Sequence, residues 1–413
     1  VTARIEITMT TNYSAYAACF TALLGVTLAC SEEATSAPPN TEGTGGAAAT
    51  TGGAATSSTG ATSSGGTSPR GSGGNGSDNL GGAAGSGNGT GGIASTGGAD
   101  NTGGTSTVDA DGCPLSLEGF ASVDANGQDG TYGGRDGDTV TVTTQADLEK
   151  YAGATEPYTI RVPGALTISP KGKEIRVESN KTIVGVGDSA EIIQGGFNLA
   201  SGVHNVIIRN LTIRDSFVEG DLDGKTQDYD GIQMDTAHHV WVDHCHLQKM
   251  GDGLIDSRKD TTHLTVSWSI LSDHNKAFGI GWTENVTSEL TVHHNWFRDL
   301  TQRNPSTDNV LRAHLFNNFM QRLGSYGNYA RGGTNMVLEN SVFEDVANPH
   351  YYDTGSLVAR GNVYRDVSGQ QESSGSTYSF FDPSDHYEYT LDPASEVEEL
   401  LARCAGPRPS LGN

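Results

Sequence analysis

Short apolar segments that return every 22–23 residues constrain this chain more than any other feature. Asn295-Trp-Phe-Arg-Asp-Leu, Asn318-Phe-Met-Gln-Arg-Leu, Asn340-Ser-Val-Phe-Glu-Asp-Val and Asn362-Val-Tyr-Arg-Asp-Val start with asparagines 23, 22 and 22 positions apart. Cys245-His-Leu and Trp268-Ser-Ile read at the same phase, and Asn210-Leu-Thr-Ile adds an earlier member. Periods of this length mark solenoids. The segments alternate apolar with polar residues and are rich in Val, Ile, Thr and Phe, which predicts strands. No amphipathic helix of repeat length is present, and the Leu/Asn consensus of leucine-rich repeats is missing. What remains is an all-β single-stranded parallel β-helix, in which each coil buries its inner face only against its neighbours. Asn295, Asn318, Asn340 and Asn362 are expected to stack as an internal ladder at a bend. Residues 144–153 predict a short amphipathic helix that caps the first coil.

The repeats occupy only part of the chain. Glycine makes up 56 of 413 residues, and no Phe, Trp or Tyr lies between Phe20 and Phe120. A segment so poor in apolar surface cannot offset its chain entropy. The folded domain is therefore expected over 109–413, after a disordered Gly/Ser/Thr-rich linker over 31–108. That linker would span about 50 Å as a coil. Residues 1–30 read as a signal peptide, with translation starting at Val1 or at Met9. Tyr16–Ala29 is apolar but too short to cross a membrane. Thr-Leu-Ala-Cys30 resembles a bacterial lipoprotein cleavage site, so Cys30 is expected to carry lipid and the protein to be secreted or held at the cell surface. Cys113 and Cys404 flank the domain and are expected to form a disulfide, which fits an oxidising compartment. Cys245 reads as a buried core thiol.

Charge narrows the function. The chain carries 49 acids against 25 Lys and Arg, and the folded part 43 against 23. This excludes a general nucleic-acid binder, which needs a basic footprint. An extra-long stretch between Asn210 and Cys245 contains Gly220-Asp-Leu-Asp-Gly-Lys-Thr-Gln-Asp-Tyr-Asp230 and is expected to leave the solenoid as a loop. Asp228 and Asp230 would share one face of a strand, as would Asp252 and Asp256 one coil later. Four carboxylates gathered in this way suit Ca²⁺. Arg258, Lys276, Arg303 and Arg331 follow in successive coils at similar phase. A stripe of base beside a stripe of acid fits an anionic polymer bridged by Ca²⁺ and clasped by cations. Either stripe alone is also what a solvated acidic surface or ordinary ion pairing would give.

Val240-Trp-Val-Asp-His-Cys245, Asp252-Gly-Leu-Ile-Asp256, Leu264-Thr-Val-Ser-Trp268, Asp273-His-Asn-Lys276, Val292-His-His-Asn295 and Arg303-Asn-Pro305 stand in order, after Gly119-Phe-Ala and Gly130-Thr-Tyr-Gly-Gly. Together they resemble the family 1 pectate lyases, from about Gly119 to about Gly406. The resemblance implies a right-handed β-helix and β-elimination from α-1,4-galacturonan (polygalacturonate) by a monomeric enzyme. It makes Asp228, Asp230, Asp252 and Asp256 the Ca²⁺ ligands and Arg303 the catalytic base. Lys276 would neutralise the substrate carboxylate and share in catalysis, while Arg258 and Arg331 contact substrate. Trp241, Asp243, His244, His293 and His294 are expected to be structural.

An ordinary arginine is neutral only far into alkali, with a pKa of about 12.5–13.8. Arg303 as base therefore predicts an alkaline optimum. One departure stands out: Asp308 takes the place of a second arginine found in many members, and Arg312 lies nearby. Two rival readings are a β-helix glycoside hydrolase, which needs two carboxylates flanking the bond, and a non-catalytic polysaccharide-binding surface protein.

Overall fold

The computed structural model describes residues 108–412, except 222, 223, 376 and 379. The expected leader with Cys30, and the expected linker apart from Val108, lie outside the described residues.

The repeat folds as a parallel β-helix. Ten strands, from Asp138–Thr141 to Ser356–Arg360, stack in chain order as the first sheet. Sixteen more form two ribbons, one from Ala165–Thr167 to Val363–Arg365 and one from Lys173–Arg176 to His350–Asp353. The strand Ile270–Gly281 runs through both ribbons and joins them. Like residues stack up the axis. In the first sheet Val206, Val240, Leu264, Leu290, Ala313, Met336 and Leu357 lie in one register column. In the second, Ile213, Leu247, Leu271, Phe297, Met320 and Phe343 do the same. All of these are buried, and each fully buried side chain of this size is worth about 1.5–3 kcal/mol.

The bends are built from residues that tolerate a left-handed backbone. Asn210, His244, Trp268, His294, Asn317 and Asn340 hold φ of 61, 49, 50, 53, 50 and 42° at one bend. His244, Trp268 and His294 stack there, with centroids 6.1 and 4.2 Å apart. Asparagine reaches this region most easily among residues with a side chain beyond Cβ. The internal ladder occupies the next position. Asn318 Oδ1 accepts from the Asn295 backbone N–H at 3.0 Å, Ser341 Oγ from Asn318 N–H at 3.1 Å, and Asn362 Oδ1 from Ser341 N–H at 2.8 Å. This corrects the expected ladder by one place: Ser341, not Asn340, is the rung. Asn340 takes the bend, where its amide donates to the Asp392 carbonyl at 2.9 Å. The phase of the earlier members shifts too, because Leu211, Cys245 and Ser269 align, rather than Asn210, Cys245 and Trp268.

The ends are closed as expected. The helix Gln145–Ala152 is capped by Thr144, whose hydroxyl accepts from Asp147 N–H, and it buries Leu148 and Ala152 against the first coil. Cys113 and Cys404 are disulfide-bonded, and Cys245 is a buried free thiol whose pKa burial pushes up to about 12. Near the other end, buried Glu339 accepts from Arg360, His314, Tyr378 and Tyr389. Burial pushes its carboxyl up, but the His314 and Arg360 contacts outweigh burial and hold it at about 2.

Candidate active site

The candidate acids and cations lie on or beside the ribbon that runs from Lys173–Arg176 to His350–Asp353. The chain leaves the solenoid after Asp215 and returns at Asp228, and Ile232–Asp235 restarts the ribbon. Asp228 and Asp230 sit in this returning loop, and Asp252 in the bend before Gly253–Arg258, so these three are not strand residues as expected. Their carboxylates nevertheless converge, with one oxygen from each of Asp228, Asp230 and Asp252 within 4.8 Å of the others. Asp256 is on the strand and is not part of this trio. It stands deeper, and its Oδ1 lies 3.9 Å from Arg303 Nη1.

Burial and crowding set the acid chemistry. Asp230 is 1 % exposed. Burial is the main force that lifts its carboxyl to about 6; bonds from Gly253 N–H and the Gln233 amide oppose this, and repulsion from Asp252 and Asp228 adds to it. Burial also raises Asp256 well above the ordinary range, with Asp230 adding and Arg303 opposing. Asp256 Oδ1 is buried without a hydrogen-bond partner. Such an oxygen is costly unless a proton or a cation meets it. The donor set is all oxygen, which fits a hard cation such as Ca²⁺.

Further groups at this cluster were not legible in the sequence. Glu174, two coils earlier, accepts from Asp230 N–H at 3.0 Å and is lifted to about 7, mainly by burial. Asn198 donates to Glu174 at 3.2 Å and to Gln233 at 2.8 Å, which closes a polar ring around Asp230. His274 meets the Asp252 carbonyl at 2.6 Å. No sequence spacing marks these residues, because the coils that bring them together differ in length.

The cations fall at more than one phase. Arg258 lies in a register row between Asp235 and Gly281, and Asp308 pairs with Arg331 in the same ribbon. Lys276 is in the row of Gly253 and Gln302, and Arg303 follows Gln302 at φ 59°. Arg258 bonds Asp235 at 2.9 Å and lies 3.6 Å from Asp228. Lys276 is ion-paired with Asp252. Arg303 faces a cleft of about 230 Å³ lined by Gly279, Ile280, Trp282, Ser306, Asp308 and Arg331. Its guanidinium lies 5.2 Å from the Trp282 ring centroid, and Arg331 lies 5.4 Å from that of Tyr329.

Residues expected to be structural are so placed. Asp243 is buried between Arg209, His244 and Ser267, and Trp241 donates to Ser267. His293 and His294 are buried in the stacked bend. Arg312 belongs to the first sheet and is bonded to Glu289, so it does not stand in for the residue at 308.

The proteins this chain is similar to give the class, polysaccharide lyases of the β-helix type. The family model for pectate lyase matches residues 83–406. The chain belongs to the pectate lyase family. A pectate trisaccharide-lyase of a Thermotoga species is 34 % identical over 327 residues, covering 70 % of this chain and 88 % of the relative. That of Bacillus licheniformis is 32 % identical over 311 residues, covering 71 % and 86 %. The crystal structure of a Bacillus pectate lyase in complex with trigalacturonate superposes with a TM-score of 0.58 at 27 % identity, over 71 % of this chain and 99 % of that one. A Xanthomonas campestris pectate lyase, at 22 % identity and a TM-score of 0.57, shares the fold.

Proposed function

We propose that this lyase acts on polygalacturonate in a Ca²⁺-dependent β-elimination with Arg303 as the base. The observation that carries the reading is the crowded acid trio beside Asp256, whose buried Oδ1 accepts no hydrogen bond and lies 3.9 Å from Arg303 Nη1. The proton removed, on carbon 5, lies next to a carboxylate whose charge makes it a poor acid. Positive charge fixed around that carboxylate is the main catalytic requirement. Asp228, Asp230, Asp252 and Asp256 would hold Ca²⁺, which supplies such charge when bound. Lys276, held beside the trio by Asp252, brings an ammonium to the same carboxylate. Arg303 takes the proton from carbon 5. The electron pair forms the carbon 4–carbon 5 double bond, the bond from carbon 4 to the glycosidic oxygen breaks, and water protonates the leaving oxygen. Arg258 and Arg331 bind neighbouring units of the chain. A base that must shed its charge works best in alkali.

The monomeric enzyme is exported and tethered by lipid on Cys30, a reading supported by Tyr16–Ala29 and the Thr-Leu-Ala-Cys motif. Loss of membrane association in Cys30→Ala tests the tether. The lyase reading is tested by ultraviolet absorbance of polygalacturonate at alkaline pH, with Ca²⁺ and then with chelator. A rise that chelator abolishes is expected. New reducing ends without absorbance would make the protein a hydrolase.

A further inference from the structure

The loop that carries Asp228 and Asp230 is closed at one backbone group. Near its start, Ser216 Oγ accepts from Gly251 N–H at 3.0 Å. Near its end, the Tyr229 carbonyl accepts from the same N–H at 2.9 Å and from Asp252 N–H at 3.1 Å. Tyr229 therefore stands between two acids of the trio in sequence and is bonded to the backbone of the third. Its side chain is seated as well. A Cβ added at Gly172 would come 2.5 Å from Tyr229 Cγ, and one at Gly251 would come 2.6 Å from Tyr229 Cβ and 3.1 Å from its Cγ. The two glycines are buried and precede Lys173–Arg176 and Gly253–Arg258, in different coils. Their missing side chains leave a notch between coils that the tyrosine fills. These close approaches are all to the ring and Cβ, none to the hydroxyl.

Gathered carboxylates repel one another, and a loop that must be ordered as a cation binds weakens that binding by the entropy it loses. A side chain that fixes the loop beforehand removes this cost. Building on the Ca²⁺ reading, we propose that Tyr229 is a positioning residue, whose ring, locked between Gly172 and Gly251, holds Asp228, Asp230 and Asp252 together before the cation arrives. The shape of the ring does this, and the hydroxyl is dispensable.

The test is calorimetric Ca²⁺ titration at pH 8, with calcium-free thermal unfolding of each variant alongside. Tyr229→Ala should bind Ca²⁺ about tenfold more weakly, as when a group that orients metal ligands is removed. Tyr229→Phe should bind as wild type does. Gly172→Ala alters no acid, yet should lose about tenfold as well, because its methyl group displaces the ring. Its positive φ of 86° also lowers the Tm, a separate readout. The two losses in affinity should not add: once the ring is gone the methyl group displaces nothing, so the double variant should bind as Tyr229→Ala does. A merely structural tyrosine would lower the calcium-free Tm and leave the affinity alone. Wild-type affinity in Tyr229→Ala or in Gly172→Ala, or losses that add, overturns this inference and leaves the Ca²⁺ reading standing. So does a loss in Tyr229→Phe as large as in Tyr229→Ala. No Ca²⁺ binding by wild type overturns the Ca²⁺ reading itself, and this inference with it.

Discussion

Acidification through pH 6 should empty the proposed Ca²⁺ site well before ordinary carboxylates titrate. Asp230 is held at about 6, against an ordinary 3.8, so near pH 6 a proton competes with the cation. Below that value each pH unit costs about tenfold in apparent affinity, or about 1.4 kcal/mol, from this one group. From pH 7 to pH 5 the loss is about tenfold from Asp230 alone, and Glu174, at about 7 and bonded to the Asp230 N–H, increases it. The sign for stability follows from the same shift. The folded pKa is raised, so in calcium-free protein ionised Asp230 opposes folding above pH 6 by about 3 kcal/mol, and the opposition fades as pH falls from 6 towards 3.8. A bound cation removes that penalty. Calorimetric Ca²⁺ titrations at pH 8, 7, 6 and 5, in buffers of different ionisation enthalpy, would show falling affinity and proton release near pH 6. Constant affinity from pH 7 to 5, with no proton released at pH 6, would refute the buried-acid account of the site.

Three further outcomes concern the scaffold. Glu339→Gln should cost about 3 kcal/mol in urea unfolding at pH 7, because it breaks a buried charged network. That stabilisation is present above pH 4.5 and is lost as pH falls towards 2, so variant and wild type should converge there. Asn318→Ala removes the rung that serves Asn295 N–H and the Val292 carbonyl, and should cost about 1–3 kcal/mol, read as a lowered Tm. Cys404→Ala opens a link between residues 291 apart and should cost about 2–4 kcal/mol, measured against wild type with and without reductant.

The fold was largely legible in the sequence because a solenoid repeats its instructions. Each coil restates the same alternation, so one misread coil does little harm. The errors were of register: coils of unequal length moved Asn340 onto the bend and Ser341 into the ladder, and a period counted on asparagines alone could not detect the slip. The candidate site was legible where charge density announced it, at Asp228, Asp230, Asp252 and Lys276. Placing Asp228 and Asp230 on a strand failed because the loop runs on to Gly231. Glu174, Asn198 and Gln233 were invisible, since their meeting depends on stacking coils separated by 24 and 35 residues. Trp282 carries no sequence mark that separates it from a core aromatic such as Trp268; only its exposure does.

Arg303→Ala tests the central claim most directly. Ultraviolet absorbance of polygalacturonate at alkaline pH with saturating Ca²⁺ would be read beside calorimetric Ca²⁺ binding by the same protein. The account predicts that unsaturated product falls by at least about a hundredfold while Ca²⁺ still binds, as expected when a general base is removed. Product formation near the wild-type rate in Arg303→Ala would contradict it.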